Sequence, residues 1–115
     1  YCALLAADDT QRAKGLMGRR DLAGFDGMLF RFDQDHNGTF FMRDVPVALS
    51  IAWFDGSGAF VSATDMEPCP DDAAECPQYS AARPYRWAIE TLKGGLDPLD
   101  IGPGSTIDVG GPCTG

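Results

Sequence analysis

Apolar residues alternate with polar or small ones most clearly from Val45 to Phe54. Val45, Val47, Leu49, Ile51 and Trp53 interleave there with Pro46, Ala48, Ser50, Ala52 and Phe54. A period of two marks a strand, and the small apolar residues of the second face predict burial on both sides. Tyr85, Trp87 and Ile89 alternate with Arg86, Ala88 and Glu90 in a second such segment. Residues 2–7 predict a short first strand. Ala59 to Ala63 predict another after the Asp55-Gly56-Ser57-Gly58 turn, and Ser105 to Val109 a last one. Met28 to Phe32 and Thr39 to Arg43 flank Asn37-Gly38, a pattern that predicts a hairpin. One helix is expected over Gln11 to Met17, with capping oxygens in Asp8-Asp9-Thr10 and a stop at Gly18. Leu96 to Ile101 predict a single helical turn around Pro98. These elements add up to a compact all-β sandwich or barrel of about seven strands with one short helix near the N-terminus. No repeat or linker divides residues 1–115, so a single domain is expected.

Composition narrows the function classes. Hydrophobic residues make up 44% and charged residues 23%, as in ordinary globular chains. Seventeen acids against nine bases give a net charge of −8. That balance disfavours nucleic acid, which is held by Lys and Arg on phosphates, and anionic membranes for the same reason. No apolar run has the length of a transmembrane helix. A monomer is expected, with no cofactor apart from the calcium considered below.

Four cysteines, Cys2, Cys69, Cys76 and Cys113, allow three pairings. Cys69 and Cys76 flank a short polar segment, while Cys2 and Cys113 lie at opposite ends of a chain whose termini should be close. The expected disulfides are therefore Cys69–Cys76 and Cys2–Cys113. A four-thiolate zinc site is the competing reading, but its usual C-x2–4-C spacing is missing. Disulfides point to an oxidising compartment, hence to secretion or the cell-envelope exterior. The chain opens on Tyr1-Cys2-Ala3 without an initiator Met, which suggests that a targeting segment has been removed.

Several constellations bear on chemistry. Asp33, Asp35 and Asn37, with Asp44 at the twelfth position, follow the spacing of a calcium loop. The alternative is a polar hairpin whose Asn37-Gly38 supplies the positive φ angles of a tight turn. Met17, Met28, Met42 and Met66 could serve as soft ligands for copper(I), or simply fill the core. Nucleophilic catalysis has little to work with. The single histidine is His36, no Gly-x-Ser-x-Gly elbow occurs, and oxidised cysteines offer no thiolate.

Three motifs carry a family resemblance: Gln11-Arg12-Ala13-Lys14-Gly15-Leu16-Met17-Gly18-Arg19, Gly27-Met28-Leu29-Phe30 and Phe41-Met42-Arg43. With Leu49 to Asp55, Tyr85 to Gly94 and Ile101-Gly102 in the same order, the chain resembles the prokaryotic domain-of-unknown-function family 192 from about Cys2 to Val109. The resemblance implies a compact β fold and no established activity. Secreted members resembling this chain also carry the Pro-Cys-Pro … Cys-Pro loop found here at 68–77. The family's usual Ile-Pro-Leu-Asp-Ile run is here Val47-Ala48-Leu49-Ser50-Ile51, and its usual Asn is Asp44. The proline and aspartate are thus replaced by Ala48 and Ser50.

Within these motifs Met17, Arg19, Met42, Arg43 and Glu90 are candidate ligand-binding residues. Tyr79 and Tyr85 join them beside the cysteine loop, as does Trp87 if it is not simply core. Arg19 and Arg43 could form a recess for an anionic or carbonyl ligand, or Glu90 could pair with one of them. The expected function is a secreted, non-catalytic module binding a small molecule, glycan or envelope component. The alternatives are a hydrolase using Glu90 or Asp44, and a purely structural accessory domain.

Overall fold

The computed structural model describes residues 1–110. Among these residues, seven strands and one short helix form a mixed, open β structure with no closed barrel. The strands are β1 (Ala3–Ala6), β2 (Gly27–His36), β3 (Phe40–Phe41), β4 (Leu49–Phe54), β5 (Phe60–Met66), β6 (Gln78–Tyr79) and β7 (Tyr85–Leu92). The main sheet runs β1-β2-β7-β4-β5, with β1 parallel to β2 and every other neighbour antiparallel. A 3₁₀ turn at Asp97–Leu99 bears out the helical turn expected around Pro98.

Every residue of β4 is buried, as its two-faced pattern predicts. Leu49, Ile51 and Trp53 face the main core with Met28, Phe30 and Ala88. On the opposite face, Leu29 and Ile89 meet Leu99, Ile101 and Ile107 across a second cavity of about 380 Å³. Burial on this scale is the main source of stability in a chain of this size.

Three local expectations are corrected. Met28–Phe32 and Thr39–Arg43 do not pair as a hairpin. Both edges of β2 are already taken, by β1 and by β7, so β3 pairs with β6 in a separate two-stranded sheet. From there the Phe40 ring covers the main sheet, 5.2 Å from Phe30 and 6.1 Å from both Trp53 and Tyr85. The strand expected from Val45 begins only at Leu49. Val45 instead makes an isolated bridge to Cys69, and Pro46 has no N–H to give a ladder. Ser105–Val109 reduces to one bridge, Thr106 to Ala59, flanked by hydrogen bonds from Phe60 to Ser105 and from Ile107 to Gly58.

The Cys69–Cys76 disulfide is present, with its Cα atoms 5.9 Å apart. Closing so short a loop contributes about 2.5 kcal/mol by the chain-entropy estimate. The expected Cys2–Cys113 pairing lies outside the described residues, because Cys113 does.

Candidate functional site

Helix α1 (Asp9–Lys14) forms one wall of a cavity on the core face of the sheet. Its start is fixed by a capping box. Gln11 N donates to Asp8 Oδ1 at 2.7 Å, and Gln11 Oε1 accepts from the backbone of Ala7 and Asp8. Its end is fixed by Gly15, three residues before the stop expected at Gly18; at φ +48° its N–H returns to Gln11 O. A Cβ at Gly15 would stand 3.3 Å from the Phe30 ring, so glycine lets the chain cross closely over the sheet. Arg12 then pins the helix down. Its guanidinium donates to Ala7 O, Arg31 O and Asp9 Oδ1 at 2.6 to 2.8 Å and lies 5.0 Å over the Phe32 ring.

The cavity has a volume of about 320 Å³. Phe30 comes from β2, Tyr85 and Glu90 from β7, Met17 from the segment after α1, and Phe40 and Met42 from β3 and its continuation. Tyr85 is buried and donates its hydroxyl to Gly38 O at 2.8 Å, and burial raises its pKa. His36 stacks on Phe32 at 4.4 Å. A Cβ on Gly38 would fall 2.5 Å from His36 Nε2, so a larger residue there would push the imidazole aside.

Glu90 is the unusual member. It stands on the central strand of the sheet, level with Met28 on one side and Ile51 on the other, and is 4% exposed. Among the described residues no hydrogen bond or ion pair reaches its side chain. Desolvation accordingly pushes its carboxyl up to about 8 from an ordinary 4.5. At neutral pH the group is mostly an uncharged acid, able to donate one hydrogen bond and to accept others.

Of the candidate ligand-binding residues, the fold brings Met17, Met42, Tyr85 and Glu90 to this cavity. It does not bring the others there. Arg19 is exposed, and Arg43 is engaged elsewhere, donating to Asp71 O and Ala73 O at 2.9 Å each. Among the described residues, therefore, Arg19 and Arg43 do not share a recess in this cavity, and neither pairs with Glu90. Arg43 instead holds the cysteine loop. Tyr79 is half-buried in β6 and accepts from Glu67 N.

The calcium pattern is also pulled apart. Asp33 and Asp35 lie on the exposed end of β2 rather than in a loop, and Asp35 pairs with Arg86 at 2.9 Å. Asp44 is held at φ +61° beside the cysteine loop, its N–H donating to Cys69 O. Among the described residues no three His, Cys, Asp or Glu side chains gather as a metal site.

Sequence reasoning passed over Phe30, Phe40, Lys14 and His36 as cavity residues. Ser50 sits where the resembled family usually has aspartate. Its hydroxyl donates to Asp65 Oδ1 at 2.6 Å and accepts from Gly94 N. Ser50 alternates with Ile51, the register partner of Glu90, so this substitution falls on the sheet face away from the cavity.

The fold and site thus define a small β-rich domain with an open cavity that has a buried acid in its wall. The chain belongs to the family DUF192, described as "Uncharacterized ACR", which matches residues 2–109. A solved protein of unknown function from Novosphingobium aromaticivorans DSM 12444 is similar, at 27% identity and a TM-score of 0.77, covering 91% of this chain and 72% of its own. A "putative transcription regulator" from Sinorhizobium meliloti 1021 is similar at 25% identity and a TM-score of 0.71, covering 89% of this chain and 76% of its own. No curated protein matches significantly.

Proposed function

We propose that this protein is an exported, non-catalytic module that binds a small molecule in the cavity over Glu90. The carboxyl group itself carries the reading. A solitary acid in the apolar face of a central strand destabilises the fold relative to a hydrophobic side chain of similar volume. In the cavity wall and without a protein partner, it gives a largely apolar lining one uncharged hydrogen-bonding group, the pattern of a small-molecule site. The volume of about 320 Å³ and the largely apolar lining suit a small organic molecule with one polar group.

Binding without reaction is supported by what surrounds the acid. The other carboxylate of the lining, Asp9, is tied to Arg12, and Asp44 lies outside the cavity. Export is supported by the Cys69–Cys76 disulfide, a bond that persists in oxidising compartments.

The test is a fragment titration followed on methyl-labelled methionines. Ligands should move the Met17 and Met42 resonances and leave Met66, fully buried away from the cavity, in place. Ala13→Trp, which sets an indole at the mouth, should abolish those shifts without unfolding the protein. Shifts that persist in this variant would defeat the assignment of the site.

A further inference from the structure

We infer that the cavity selects small amphipathic carboxylic acids, with the apolar body against Phe30, Phe40, Met17 and Met42 and the carboxylate at the mouth beside Lys14. This rests on the proposed binding role and deepens it. The argument is an inventory of charge around the cavity. Helix α1 contributes Asp9, Arg12 and Lys14, β2 contributes His36, and β7 contributes Glu90 and the neutral phenol of Tyr85; the β3 segment contributes no ionisable group. Asp9 and Arg12 neutralise each other at 2.6 Å, and the same guanidinium is spent on two backbone carbonyls. Glu90, buried and without a protein partner, is mostly uncharged at neutral pH.

Lys14 is left over. It is exposed, and among the described residues its ammonium makes no ion pair or hydrogen bond. In a chain of net charge −8, the lining of this one cavity therefore carries an uncompensated positive charge. An amine ligand would meet repulsion from Lys14 at the mouth. A carboxylate meets attraction at the mouth, and its apolar body leaves the neutral acid undisturbed. The long, flexible lysine stem lets the ammonium follow a carboxylate across the opening.

Three probes of matched shape decide the matter at pH 7: 4-phenylbutyrate, 4-phenylbutanol and 4-phenylbutylamine, each titrated while the Met17 and Met42 methyl resonances are followed. The carboxylate should bind about tenfold more tightly than the amine, with the alcohol between them. Lys14→Gln should bring carboxylate and amine to within about twofold of each other, whereas Glu90→Gln should preserve their order. An alcohol or amine that binds tightest overturns the acid preference while leaving the cavity reading intact. A tenfold preference that survives Lys14→Gln removes Lys14 from recognition. If no probe moves either methionine, both the inference and the binding role fall.

Discussion

Replacing Glu90 with glutamine removes an ionisable group while nearly preserving shape, so the variant isolates the cost of the buried acid. The carboxyl titrates near 4.5 in an unfolded chain and near 8 in the fold. Below pH 4.5 both states are protonated, and the group does not oppose folding through its charge. Between these values only the unfolded chain releases its proton, so stability falls as pH rises, by about 1.4 kcal/mol per pH step of one. Above pH 8 the loss is complete, and across the whole interval it amounts to about 5 kcal/mol. Such a loss is comparable to the entire stability of many small domains. Glu90→Gln lacks this term. Urea unfolding of both proteins from pH 4 to pH 9 gives the stability difference directly, and subtraction cancels the other carboxylates. Wild type minus variant should decline by about 5 kcal/mol with rising pH, leaving the glutamine variant the more stable above pH 8. A difference that stays within about 1 kcal/mol over that range would refute a partnerless Glu90 desolvated by burial.

Two further outcomes follow from the supports of the site. Arg43→Met removes both hydrogen bonds that Nη1 gives the cysteine loop and should lower stability by about 2 kcal/mol in urea denaturation. The loss should shrink once Cys69–Cys76 is reduced, because bond and guanidinium restrain the same segment; full additivity would contradict this. Gly15→Ala forces a side chain into positive φ and against Phe30, and should destabilise by about 1–2 kcal/mol by thermal melting. Gly18→Ala, also at positive φ but with open space around its Cβ position, should cost less.

Whatever depends on near neighbours in the chain was legible in the residues alone. The capping of α1 rests on Asp8 and Gln11, three positions apart. The two-sided burial of β4 follows from its own alternation. The Cys69–Cys76 bridge closes a loop of adjacent sequence. Pairing over long separations was a different matter. Asn37-Gly38 resembled a hairpin turn, yet the competition for the edges of β2 was won by β1 and β7, and local propensity holds no record of that contest. Arg43 and Glu90 both stood out as charges within motifs. Only the fold sends Arg43 to the carbonyls of the cysteine loop and leaves Glu90 alone among apolar side chains. A side chain's chemistry is written in its type, but its protonation and its partners depend on how much water and which groups surround it. Those surroundings come into being when distant strands assemble, so the cavity with its buried acid belongs to the tertiary structure rather than to any stretch of sequence.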